Sequence, residues 1–313
     1  MATTIASVAR RLGGSLLGKT LARAQVGSDE IRTAIGRQQT EWMKWRDLQA
    51  PREAEFRVFS QWGEDGIIQY LVDKVPIADE SFVEIGVEDY REANTRFLLV
   101  NNDWRGLIVD SGHAHVDFLN WTSLRWRHSI EPLSLFVTRD NINATLANAG
   151  FDGDIGLLSV DVDGNDYWIF EAVTVAKPRI LVIEYNSLFG AEAAVCVPYD
   201  PSFTQRSAHH SRLYFGASLG AMDHLATRKG YSLVAGNRAG CNAFFVRNDV
   251  LGDLRPVSVA DAYVASRFRS SRGTRGELTY VDRHSDRMAL IRHLPVTDVT
   301  TGRTAPLGDA LGL

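Results

Sequence analysis

Two cysteines in 313 residues, Cys196 and Cys241, without CxxC spacing, leave no material for a disulfide framework or a cysteine zinc site. Such usage fits a reducing cytoplasm. No stretch approaches the roughly 18 apolar residues that span a membrane. There is no excess of basic charge: 34 Lys and Arg stand against 38 Asp and Glu, for a net charge of −4. That excludes a nucleic-acid binder whose affinity rests on neutralising phosphates. No internal repeat is present. With 45% hydrophobic and 23% charged residues, the chain is neither disordered nor collagen-like. It is long enough to bury one large core or two.

What is present begins with a basic, helix-prone N-terminus. Residues 2–25 carry Arg10, Arg11, Lys19 and Arg23, and no acid occurs before Asp29. The polar stretch 28–50 follows, with Ser28 placed to cap it. Residues 1–50 are expected to form a helical extension that is loosely attached or oligomerising. A second reading is peripheral contact with a membrane surface.

From residue 55 short apolar runs alternate with helical patterns. Strands are expected at 81–87, 104–112, 155–164, 179–187, 231–236 and 242–249, and helices near 59–75, 94–102, 139–149, 166–173 and 215–230. That alternation predicts parallel β-α-β units with helices on both faces. In such sheets a ligand sits beyond the carboxyl ends of the strands. Four of these strands end in acids: Glu84, Asp110, Asp161 with Asp163, and Glu184. A rim so crowded with carboxylates loses stability unless a ligand or cation occupies it.

The acid-x-Gly turn Glu84-Ile85-Gly86 lets backbone approach a ligand closely. The GxGxxG needed to cradle a pyrophosphate does not follow; the chain reads GVEDYRE. S-adenosylmethionine, which carries no phosphate, needs less glycine there. Asp110, at the next strand end, is placed for ribose hydroxyls or for capping its own loop. The DVDGND sequence at 161–166 resembles part of a calcium loop, but the glutamate of an EF-hand is Phe170 here. Along an extended strand end Asp161 and Asp163 share a face, as do Glu184 and Asn186. Two such pairs can supply oxygen ligands to Mg²⁺ or another hard divalent cation, or cap helices and bind nothing. The pair His209-His210 offers a general base near neutral pH, or is a surface pair.

SQWGEDG, FVEIGVEDYREANTRFLLVNNDWRGLIVD, NIN, IGLLSVDVDGNDYWIFEAV, ILVIEYNSLFG, VPYDPSF, LYFGASLGAM and GCNAFFVRND, over about residues 58–250, together resemble the FkbM-like branch of class I S-adenosylmethionine-dependent methyltransferases. The resemblance implies a Rossmann-like seven-stranded α/β sheet whose last hairpin is 231–249. It implies O-methyl transfer to a sugar hydroxyl of a glycan or glycosylated metabolite, as in polysaccharide biosynthesis. By it Glu84 and Gly86 match the cofactor turn, Asp110 the ribose acid, and Asp161, Asp163 and Glu184 the strand-end acids of related metal-dependent sugar O-methyltransferases. The expected cofactor contacts are then Glu84, Gly86, Asp110, Ser111 and Asp161, and the expected ligands of a divalent cation Asp161 and Glu184 with Asn186 as a neutral one. Asp163 would take the proton, with His210 its rival. The pattern departs at Tyr90, where the second glycine of the family turn is replaced by a bulky residue that would reshape or block the cofactor pocket.

The expected organisation is 1–50 extension, 51–252 methyltransferase-like domain and 253–313 C-terminal extension. In that extension RFRSSRGTRGE (267–277) is either an anion contact or a solvated loop. Two other classes stay open: an inactive methyltransferase fold serving as a binding or scaffold protein, and a metal-dependent hydrolase or sugar-modifying enzyme on the same rim.

Overall fold

A computed structural model describes residues 16–122 and 124–313. The strands are β1 (Ser81–Ile85), β2 (Arg105–Asp110), β3 (Ile130–Ser134), β4 (Gly153–Val160), β5 (Ala176–Glu184), β6 (Val195–Cys196), β7 (Tyr231–Gly236), β8 (Asn242–Arg247), β9 (Pro295–Asp298) and β10 (Thr304–Pro306). The main helices are α1 (Leu16–Lys44), α2 (Glu64–Lys74), α3 (Arg96–Asn102), α4 (Ala114–Trp121), α5 (Ile142–Asn148), α6 (Asp166–Ala172), α7 (Leu219–Arg228) and α8 (His284–Ile291).

Seven strands form one sheet in the order β3-β2-β1-β4-β5-β8-β7. The first five are parallel, and the β7–β8 hairpin joins β5 antiparallel. This is the expected Rossmann-like α/β architecture. Its central strands are apolar throughout because both faces are covered. Val83, Leu158 and Ile183 turn to one side, against Ile142, Phe170 and Met222 of α5, α6 and α7. Their neighbours Phe82, Leu157 and Val182 turn to the other, against Ile68, Leu98 and Phe118 of α2, α3 and α4. Side chains of consecutive strand residues alternate between faces, so one sequence feeds two cores.

Some elements differ from expectation. β4 stops at Val160, so Asp161 and Asp163 do not continue an extended strand. Asp163 instead adopts a left-handed turn conformation, φ 55°. β3, with two aliphatic residues in five, does not announce itself in the sequence, and α4 is a further helix beyond those expected. β3 is an edge strand that accommodates Pro132, where an absent N–H costs little.

Helix α1 ties to the body through an Asp29–Arg96 ion pair and through Arg37, which donates to Asn101 at 3.1 Å. Its opposite side exposes Ile31, Ile35 and Trp42, with Trp45 just beyond the helix. The Arg10-Arg11 pair and the rest of the basic stretch up to residue 15 lie outside the described residues. Among the described residues no helix is long and apolar enough to cross a membrane.

After β8 the chain returns over the carboxyl edge of the sheet. Met288, Ile291, Val296 and Leu307 build a third core with Leu188, Val197, Leu213 and Tyr214. β9 lies between β10 and β6 in a small second sheet.

Candidate functional site

A cleft of about 460 Å³ opens beyond the carboxyl ends of β1, β2, β4 and β5. Its position follows from topology: β1 and β4 are neighbours whose connections run to opposite sides, which leaves a gap at their ends. Glu84, Gly86, Asp110, Ser111, Asp161, Asp163 and Glu184 all line it.

Several of these residues build the cleft as well as face it. The buried Glu84 carboxylate accepts the N–H of Asn94 at 2.8 Å, and the N–H (3.0 Å) and hydroxyl of Thr95. It thereby fixes the entry into α3. Burial nevertheless pushes its pKa up to about 7, against the pull of these donors. Gly86 has φ 86°, and a Cβ there would lie 1.5 Å from the carbonyl oxygen of Asp161. Glycine is therefore demanded by the contact between the ends of β1 and β4. Asp110 turns back on the β1 loop: one carboxylate oxygen accepts the N–H groups of Val87 and Glu88 at 3.1 and 2.9 Å, the other that of Gly112 at 2.7 Å.

At the ends of β4 and β5 the carboxylates converge. One oxygen each from Asp161, Asp166 and Glu184 lies within 4.8 Å of the others. Asp166 accepts from the N–H groups of Val162 at 2.7 Å and Gly164 at 3.0 Å, and so closes the turn into α6. Burial raises its pKa to about 6. Burial holds both Asp161 and Glu184 well above the carboxylate range, reinforced by the charge of Asp163 at Asp161 and by that of Asp161 at Glu184. Glu184 Oε2 is buried with no hydrogen-bond partner among the described residues.

Three assignments change. Asn186 does not join the cluster. Its Oδ1 accepts from Leu188 N–H at 3.0 Å, and its Nδ2 donates to the carbonyls of Leu213 and Phe215 at 3.0 Å each, so it caps a helical turn. Asp166 stands in the place expected for it. His210 does not line the cleft; it is exposed and packs against His209, ring centroids 4.2 Å apart. Tyr90 does not obstruct the cleft. It is fully buried beneath the loop, with φ 61°, the left-handed conformation that a glycine would otherwise supply.

In the segment after Pro198 the sequence points to His209-His210, and the structure presents other side chains instead. It brings Phe203, Arg206 and Arg212 to the cleft. A Cβ on Gly164 would lie 2.2 Å from the Phe203 ring, so this segment sits directly on the DVDG turn. Asn242, on β8, faces the same space with its buried Oδ1 unpartnered. Glu88, Asp163 and Arg212 all have φ between 46° and 56°. Strained non-glycine residues of this kind gather where a binding site over-determines the backbone.

The cleft has two chemical halves. Beside Asp110 and Ser111 the wall is apolar, from Val109, Leu135, Phe136 and Val137. Across from it, Arg206 and Arg212 are the only cations lining the cleft among the described residues.

No protein-family model matches the chain, and no curated protein matches its sequence. Solved structures with a similar arrangement include the O-methyltransferase from Bacillus cereus in complex with SAH, at 12% identity over 78% of this chain and 98% of that one, TM-score 0.37. The N-terminal domain of EvdMO1, in the presence of SAH and D-fucose, is 10% identical over 67% and 85%, TM-score 0.37. The CMeT domain of the citrinin polyketide synthase is 9% identical, TM-score 0.40; the match takes in 61% of this chain and about half of the domain, 55%. At these levels the likenesses carry no argument about binding or reaction, which rests on the cleft itself.

Proposed function

We propose that the chain is an S-adenosylmethionine-dependent O-methyltransferase of the FkbM-like kind, acting on a sugar hydroxyl and assisted by a divalent cation. The observation that carries the reading is the nucleoside half of the cleft. An acid at the end of β2 stands beside an apolar wall, with no cation and no glycine-rich phosphate loop. That suits a nucleoside cofactor without phosphates. A cleft of about 460 Å³ is also within the range of small-molecule sites.

Asp110 accepts three backbone N–H groups, and a carboxylate has about four acceptor sites. The remaining capacity takes ribose hydroxyls, with Ser111 adjacent. Leu135, Phe136 and Val137 pack the base. The bound cofactor supplies an electrophilic methyl group on a sulfonium. The cation fit rests on the orphaned Glu184 Oε2 and on a set of hard oxygen donors. Asp161, Asp166 and Glu184 would hold it, and when bound it lowers the cost of charge on a substrate oxygen. Asp163, open to solvent at the mouth, takes the proton of the attacking hydroxyl. Phe203 and the backbone around it exclude water from one side and orient the acceptor.

Calorimetry with S-adenosylmethionine and S-adenosylhomocysteine, with and without Mg²⁺, tests the reading. Binding of S-adenosylhomocysteine, weakened by Asp110→Ala, is expected. No binding by the unaltered chain favours the scaffold reading. Cation binding and ester or phosphate hydrolysis without cofactor binding favour the hydrolase reading.

A further inference from the structure

Some arginines elsewhere in the molecule are matched with acids: Arg105 with Asp79, Arg179 and Arg247 with Asp154. The arginines at the acceptor end of the cleft are not. Arg206 and Arg212 line it, and neither forms an ion pair among the described residues. A third arrives from the Arg-rich tail. Arg272 N–H donates to the carbonyl of Ser211 at 3.1 Å, which lays the tail alongside Arg212. The Arg272 side chain donates to Gly276 O at 3.3 Å, and its Nε is buried without an acceptor. Asp163 is the acid within electrostatic reach of Arg212. Burial, and then the charges of Arg206 and Arg272, depress the Arg212 pKa below its ordinary value. Arg212 reaches the cleft from a left-handed backbone conformation, φ 56°.

Among the described residues Arg206 and Arg212 line the cleft without an ion pair, the charge of Arg272 adds to theirs, and Asp163 is the single acid that opposes it at Arg212; such an arrangement is relieved by an anion. Guanidinium is planar and donates in pairs, which matches an oxyanion such as phosphate or carboxylate. The acids at the ends of β4 and β5 repel such an anion, so its charged part is held at the arginines.

We propose that Arg206, Arg212 and Arg272 form an oxyanion subsite, so that the acceptor is a sugar bearing a phosphate or carboxylate group. The term acceptor rests on the methyl-transfer reading above; the anion subsite does not.

The test is calorimetry at low ionic strength with glucose 1-phosphate, glucuronate and glucose as probes, on the full chain and on Arg212→Ala, Arg212→Lys and Arg272→Ala. At least one charged sugar should bind tenfold or more tightly than glucose. Arg212→Ala should lower that affinity ten- to hundredfold, the range for a hydrogen bond to a charged group. Arg212→Lys should restore part of it, and added salt should weaken it. Preference between the two charged sugars tells phosphate from carboxylate. Equal binding of glucose, no binding of either charged sugar, or charged-sugar binding unchanged in both alanine variants overturns the subsite. S-adenosylhomocysteine is titrated into the same samples. Arginine-dependent sugar binding without cofactor binding removes the methyl-transfer reading and leaves the subsite. Cofactor binding without it does the reverse.

Discussion

Asp110, Asp163 and Gly86 divide structure and the proposed chemistry between them in three different ways. Asp110→Ala deletes the proposed ribose acceptor and also frees three backbone N–H groups. We expect a loss of about 1.5–3 kcal/mol in S-adenosylhomocysteine binding, tenfold or more, with a small drop in melting temperature. Undiminished affinity removes Asp110 from the cofactor site. Asp163 bonds to nothing that the turn requires, so Asp163→Asn should keep cofactor and cation binding while turnover falls by about 10²–10⁴. His210→Ala should leave turnover close to normal, because His210 is outside the cleft. A large loss with His210→Ala and near-normal Asp163→Asn would reverse the assignment. Gly86→Ala brings a methyl group into the Asp161 carbonyl. It should cost more than about 2 kcal/mol, read by chemical denaturation.

At the scale of elements, the ends of β1, β4 and β5 hold buried carboxyl groups that resist ionisation. At Glu84 the ordinary value of 4.5 rises to about 7 on burial. A raised acid binds its proton more tightly in the folded than in the unfolded chain. Its stabilising contribution is complete below about 4.5 and is lost as pH climbs through about 7. Melting temperature should therefore rise on acidification from pH 8 to pH 5.5, and Glu84→Gln should flatten that slope. An equal slope in both proteins would place the titrating group elsewhere. The acids of β4, α6 and β5 lead to a second expectation. Millimolar Mg²⁺ or Mn²⁺ should raise the melting temperature relative to EDTA by mass action on the native state. Asp161→Asn should abolish the response. Asn186→Ala should retain it while costing about 1 kcal/mol as a lost cap. Superimposable melts with ion and with EDTA mean that these acids only cap turns. The strand-end acids were legible because each follows a short apolar run. Asp166 was not, because its role depends on folding back onto the Val162 and Gly164 amides.

On the scale of the whole molecule, the tail and the segment between β5 and α7 form one unit that closes the acceptor side. Ile291 is fully buried in the core they share with Leu188 and Leu213. Ile291→Ala should destabilise the protein by about 2–5 kcal/mol. Because that core supports Arg212 and Phe203 but not Asp110, binding of charged sugars should fall further than binding of S-adenosylhomocysteine. Equal losses would mean that the two halves of the cleft are not supported separately. The distant placement of RFRSSRGTRGE in the sequence concealed its arrival beside Ser211, a contact between residues some sixty positions apart.

The sequence by itself determined the layered fold and its carboxylate rim. Fully apolar runs fit only strands covered on both faces, and the residue that follows such a run must sit at the sheet edge, where a cleft forms. Those are local consequences of burial. Tertiary structure decided which polar groups face the cleft and which hold it together. Asn186 caps a turn, Asp166 joins the acids of β4 and β5 while closing its own turn, Tyr90 is buried, and the tail comes to Ser211 beside Arg212. Such outcomes depend on turns with φ above zero and on contacts between segments far apart in the chain, and no periodicity records either.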